Sequence, residues 1–323
     1  MRTPLVLRTT FLSRRNARMS GLILWFVLIA AVAMVTLSRR AAFRHRDDAL
    51  KRLPVGRDGI IAGAHGFELR RGADAPAVLL LHGGGDTPQT LRYLAEYLHA
   101  RGYNVRVPLL PGHGRTLREF STVRAEQLLD AARAAYRDLG PERRWVAIAG
   151  LSMGGALAVQ LAAEDEELPS LVLLAPYLAM PFRVAFAARL AKLWASIVPY
   201  VRALDPSARR SIQDQAEAAR SLAYGVFTPP ALRALYVTVA RGASALSDVK
   251  APTLMIQSRE DNRIPPDAAQ RAFERLGAAE KQLVWITGAG HVITVDHGRE
   301  RVFELLTDWL ERHRLAEPRE RRA

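Results

Sequence analysis

The chain has 323 residues, 49% apolar and 24% charged, enough for one large catalytic domain and a short extension. It has no cysteine, which excludes disulfides, thiol catalysis and cysteine-ligated metals. The net charge of +14 is concentrated: residues 1–52 hold 11 Lys/Arg against 2 Asp/Glu, flanking one apolar segment, as charge beside anionic lipid does. A nucleic-acid partner would need a basic face on the folded domain, and none is expected.

Residues 1–20 read as a basic tail. Gly21 to Leu37 follow without a charge, a helix of roughly 26 Å against a hydrocarbon core of about 30 Å. Arg14, Arg15 and Arg18 precede it; Arg39, Arg40, Arg44 and Arg46 follow. A single-pass transmembrane anchor over 21–37 is the preferred reading. A cleaved signal peptide, with Ala31-Val32-Ala33 as its small-residue site, is the second. A buried helix is the third. Positive charge on both sides leaves the orientation open, and a start at Met19 would favour a cytoplasmic C-terminal side. Residues 38–56 read as a polar, basic linker.

From there strands and helices alternate. Gly59–Ala64 and Phe67–Arg70 are expected as short leading strands. Ala77–Leu81 is a continuous apolar run, as a strand covered on both faces should be. Leu91–Arg101 reads as a helix, Tyr103–Val107 as a strand and Glu126–Leu139 as an amphipathic helix. Trp145–Ala149 is a buried strand running into Gly150, with a helix from Ser152. Strands follow at Leu171–Leu174, Thr253–Gln257 and Gln282–Ile286, then a helix near Arg299–Arg312 and a polar tail at 316–323. This rhythm predicts a mainly parallel sheet with helices on both faces. It breaks between Leu174 and Thr253, where no strand is expected. A helical lid over about 179–230 is predicted there, with Phe182, Phe186, Leu190, Leu193, Trp194 and Ile197 at helical spacing. That stripe could line an acyl pocket or pack the lid on the core.

Gly150-Leu151-Ser152-Met153-Gly154-Gly155 fits G-x-S-x-G between a buried strand and a helix. The chain must turn sharply there to raise the serine hydroxyl above the sheet, and flanking glycines relieve the crowding. A serine nucleophile needs a base. Gly288-Ala289-Gly290-His291 follows the last strand and supplies His291; His297 is the nearby rival. The histidine needs an acid to fix its tautomer. Asp261, after the strand Thr253–Gln257, is the choice, with Glu260 as its alternative. An oxyanion needs two N–H donors: Met153, after the nucleophile, and Gly84 in His82-Gly83-Gly84-Gly85. His82 and His113, the latter in Pro111-Gly112-His113-Gly114, are expected to hold loops together.

These stretches, in this order, resemble the α/β-hydrolase superfamily, and within it the monoacylglycerol lipases, lysophospholipases and small carboxylesterases. Arg259-Glu260-Asp261-Asn262-Arg263-Ile264-Pro265 and Gly290-His291-Val292-Ile293-Thr294-Val295-Asp296 share in the likeness, which covers about residues 57–313. It implies the α/β-hydrolase fold over 57–315 and hydrolysis of carboxylic esters through an acyl-enzyme on Ser152, without cofactor or metal. Lipid-derived esters such as monoacylglycerol or lysophospholipid are the expected substrates, and the membrane the expected location. Amide or short-peptide hydrolysis, or a non-catalytic scaffold tethered to the membrane, are the alternatives. Oligomeric state is left open.

Overall fold

A computed structural model of the chain describes residues 7–139, 145–202 and 211–316, with side chains over 22–139, 145–201 and 211–315. The first residues of the basic tail, part of the lid (203–210) and the polar tail beyond Ala316 lie outside the described residues.

One helix, α1 (Leu7–Arg52), opens the chain. At about 1.5 Å per residue its 46 residues extend some 70 Å. It contains a stretch long and apolar enough to cross a membrane, and none of that stretch is buried. A signal sequence would meet the same description. The helix does not stop at Leu37. Residues 38–52, expected as linker, continue it, and Ala42 and Ala49 are buried against the domain, as is Leu53 just beyond. Small residues at these positions let a helix rich in arginine approach closely.

The domain then runs through β1 (Phe67–Leu69), β2 (Ala77–Leu81), α2 (Arg92–Ala100), β3 (Asn104–Val107), α3 (Leu117–Phe120), α4 (Ala125–Arg137), β4 (Val146–Leu151), α5 (Met153–Glu164) and β5 (Leu171–Leu174). The lid region follows as α6 (Phe182–Arg189), α7 (Ala191–Trp194), β6 (Val201–Arg202), α8 (Gln215–Arg220), β7 (Val226–Phe227) and α9 (Pro229–Ala245). The chain closes with β8 (Thr253–Ser258), α10 (Pro266–Glu274), β9 (Lys281–Ile286) and α11 (Arg299–Ala316).

Seven strands form one sheet in the order β1-β3-β2-β4-β5-β8-β9. Only β1 is antiparallel to its neighbour. Alternation along the strands divides the core in two. Leu79, Leu81, Ile148 and Leu173 face α4, α5, α9 and α10, while Val78, Leu80, Ala149 and Val172 face α2 and α11. Both faces are covered, which is why these strands are uninterrupted apolar runs.

Three local expectations change. Gly59–Ala64 is not a strand; only an isolated bridge joins Val55 to Ile61. The lid contains a two-residue antiparallel pair, β6 with β7, too short for any period to show. The stripe from Phe182 to Ile197 is broken at Leu190 and faces outward: Phe182 is 82% exposed and Leu193 74%. Helical spacing shows that a face is apolar, not what covers it.

Candidate active site

The turn from β4 into α5 carries Ser152 at φ 55°, a left-handed conformation for a non-glycine residue. Such strain costs on the order of 1–3 kcal/mol and survives only where its surroundings enforce it. Two contacts do so: a Cβ on Gly154 would lie 2.0 Å from the Leu81 carbonyl oxygen, and one on Gly150 2.3 Å from that of Gly154. The start of α5 therefore lies directly on the ends of β2 and β4. The Ser152 amide donates to the Leu174 carbonyl and its own carbonyl accepts from Tyr177, pinning the turn to the next strand.

Ser152 Oγ lies 2.8 Å from His291 Nε2, and His291 Nδ1 lies 2.8 Å from Asp261 Oδ2. With Nδ1–H donating to the carboxylate, Nε2 is left to accept the serine proton. Asp261 is itself held: Oδ1 accepts from the Arg263 and Ile264 amides, and Gln257 Nε2 donates to Oδ2 at 2.7 Å. Burial pushes the Asp261 carboxyl up, but the His291 ring and these amides outweigh it and hold it below the usual range. The structure thus brings together Ser152, His291 and Asp261. Glu260 instead lies beside Ser258 and the Gly288 amide, and His297 is near Asp214.

Met153 is the first residue of α5, so its amide has no partner within the helix. Gly84 packs against it: a Cβ there would stand 3.2 Å from Met153 Sδ and 3.3 Å from Leu235 Cδ1. The two proposed oxyanion donors therefore adjoin, one at the start of α5 and the other in the loop after β2. His82 braces the Gly84 loop, as expected. Its Nε2 accepts from the Leu110 amide at 3.1 Å, which puts the proton on Nδ1, 2.9 Å from the Gly83 carbonyl. Burial pushes His82 down to about 3 and His113, which bonds the Pro111 carbonyl, down to about 4, so both are neutral near pH 7.

Ser152 and His291 open on a cavity of about 320 Å³. Its walls include Met180, Pro181 and Val184 before and within α6, Leu232 and Leu235 of α9, Phe227 and Val292. Of the α6 residues Val184 lines the cavity, so this wall is Val184 with Met180 and Pro181 and not the exposed Phe182 stripe.

Sequence reasoning passed over three polar residues. Gln257 supports Asp261. Asp86, on the cavity wall, accepts from the Thr87 amide and the Thr90 hydroxyl. Burial, partly offset by these bonds, pushes its carboxyl up to about 6. Asp296, 2% exposed, accepts from four backbone amides: Gly290 and Gln213 on Oδ2, Asp214 and His297 on Oδ1. Its place five residues after His291 was the one available signal.

Residues 73–298 match the family model described as serine aminopeptidase, S33. The chain belongs to the S33 family. This S33 chain is 26% identical over 254 residues to a thermostable monoacylglycerol lipase of Bacillus sp. (strain H-257), covering 79% of the chain and 97% of the relative. It is 27% identical over 238 residues to a carboxylesterase of Bacillus subtilis (strain 168), covering 73% and 92%. A solved structure from work on LipS and LipT, two metagenome-derived lipolytic enzymes, superposes with a TM-score of 0.70 at 30% identity, covering 79% of the S33 chain and all of that one. The monoacylglycerol lipase of Paleococcus ferrophilus superposes with a TM-score of 0.64 at 22% identity, over 77% and 99%. The fold is the α/β-hydrolase fold.

Proposed function

We propose that this carboxylic ester hydrolase cleaves lipid-derived esters, such as monoacylglycerol or lysophospholipid, through an acyl-enzyme on Ser152. The observation that carries the reading is the apolar cavity with the Ser152–His291 pair at its wall. Ser152 Oγ attacks the ester carbonyl while its proton passes to His291 Nε2. The Gly84 and Met153 amides stabilise the oxyanion. The intermediate collapses, His291 returns the proton to the departing alkoxide, and the alcohol leaves. Water then attacks the acyl carbonyl, giving a proton to His291; collapse returns it to Ser152 Oγ and releases the acid. Asp261 keeps the imidazole in the required tautomer and stabilises its charged form.

An apolar pocket favours acyl chains of medium or greater length, because each buried methylene contributes about 0.8 kcal/mol. α1 supplies the membrane anchor in this reading and concentrates the enzyme where such substrates lie. Amide cleavage at a free amino terminus would need a standing anion for the substrate's ammonium. Asp86 is the one carboxyl among the described lining residues; burial disfavours its charged form, and its oxygens are already engaged by the Thr87 amide and the Thr90 hydroxyl. The test is turnover of esters graded from acetyl to long acyl, below their aggregation concentration, beside an aminoacyl anilide. Rising kcat/KM with chain length supports the reading. A profile falling from acetyl onward, or preference for the anilide, overturns it.

A further inference from the structure

The lid carries an apolar face that no described residue covers. On α6, Val184 lines the cavity while Phe182 and Phe186 stack outward, their centroids 6.2 Å apart. Phe186 is 54% exposed, and Leu193 of α7 continues the face. The basic side chains Arg183, Arg189 and Lys192 stand exposed among them. One helix therefore separates the cavity from this surface.

α1 fixes where that surface sits. Its apolar residues from Leu22 to Leu37 are largely exposed. Arg39, two positions and about 3 Å of helix beyond Leu37, donates to the carbonyl of Ser196, just after α7. Further along α1, Phe43 meets Tyr200 edge-on at 6.0 Å, and the Arg46 guanidinium stands over both rings. Arg52 donates to the Ala223 carbonyl beside the cavity. The lid is thus tied to α1 at the level where the apolar stretch ends.

We propose that the outward face of α6 and α7 seats in the headgroup–acyl boundary of the leaflet from which α1 emerges. Anchor and lid then form one membrane-contacting surface, with the cavity a single helix away from lipid. Exposed aromatic and aliphatic side chains partition into that boundary to a depth of about 5–10 Å, and interleaved cations favour anionic headgroups. The inference rests on the reading of α1 as a membrane anchor.

The chain has no cysteine, so single reporters can be placed in the full-length protein. Phe182→Cys, Leu193→Cys, Val27→Cys and Glu167→Cys, each carrying an environment-sensitive fluorophore, would be reconstituted into phosphatidylcholine–phosphatidylglycerol vesicles doped with acyl-chain spin-labelled lipid. Glu167 is exposed in the turn leading into β5, at the opposite end of that strand from the lid. The lid reporters should be quenched severalfold more than Glu167→Cys, with blue-shifted emission. Val27→Cys reads the anchor separately. Quenching there with lid reporters at the Glu167 level overturns the lid proposal and leaves the anchor standing. No quenching at Val27 overturns the anchor reading and the lid proposal with it.

Discussion

Asp296 accepts a 2.6 Å hydrogen bond from the amide of Gly290, the residue immediately before His291. The same carboxylate accepts from Gln213 and Asp214, and the Val292 amide donates to the Ser211 carbonyl. The proposed base therefore sits on a loop stitched to the returning limb of the lid. Asp296→Asn would replace one acceptor oxygen by an amide donor facing N–H groups, at a cost on the order of 1–3 kcal/mol for each group left unpaired. Since misplacement by about 1 Å can cost on the order of 10²-fold, kcat should fall 10- to 100-fold with a smaller change in KM. Equal loss of folded protein and activity, with kcat per folded molecule unchanged, would mean that Asp296 acts on stability alone.

The reacting residues make graded predictions. Ser152→Ala and His291→Ala should each lower kcat by on the order of 10⁶. Asp261→Asn should cost on the order of 10⁴, because its oxygen stays on the Arg263 and Ile264 amides and its NH2, a donor, then faces His291 Nδ1 and favours the wrong tautomer. Steady-state kinetics on a soluble ester read both.

Asp86 gives a pH prediction. Its folded pKa is raised from 3.8 to about 6, so between these values the folded state binds more protons than the unfolded state. Stability therefore falls as pH rises through this window, by about 3 kcal/mol at full ionisation. Asp86→Asn preserves the shape, keeps the bond from the Thr87 amide and can donate to Thr90, which also donates to the Thr87 carbonyl. Denaturant melts should show the variant more stable than the parent at pH 8, with the difference shrinking toward pH 4. A difference independent of pH would contradict the burial argument.

The cavity wall is testable with Leu235→Trp, which fills space beside Gly84. It should reduce kcat/KM on long acyl esters more than on acetyl esters. Parallel losses would place the acyl chain elsewhere.

What could be read from the chain was local. Gly150 to Gly155 shows the strained turn because its glycines lie beside the contacts they permit. The central strands β2, β4 and β5 were legible because both their faces are covered, so each is an apolar run. Asp296 was missed because its partners Gln213 and Asp214 lie some 80 positions away, where no spacing rule reaches. The helical course of residues 38–52 was missed because the docking residues Ala42 and Ala49 are small and set among arginines. The stripe from Phe182 to Ile197 was assigned to the interior because an apolar face looks the same in sequence whether a core or something outside the chain covers it.

The most direct test of the central claim is intact-protein mass spectrometry after reaction with a fluorophosphonate, followed by peptide mapping. One adduct per chain on Ser152, blocked by prior incubation with a slowly hydrolysed long-chain ester and absent in Ser152→Ala, is the predicted result. Turnover of esters without any adduct on Ser152, or with activity retained in Ser152→Ala, would contradict the account.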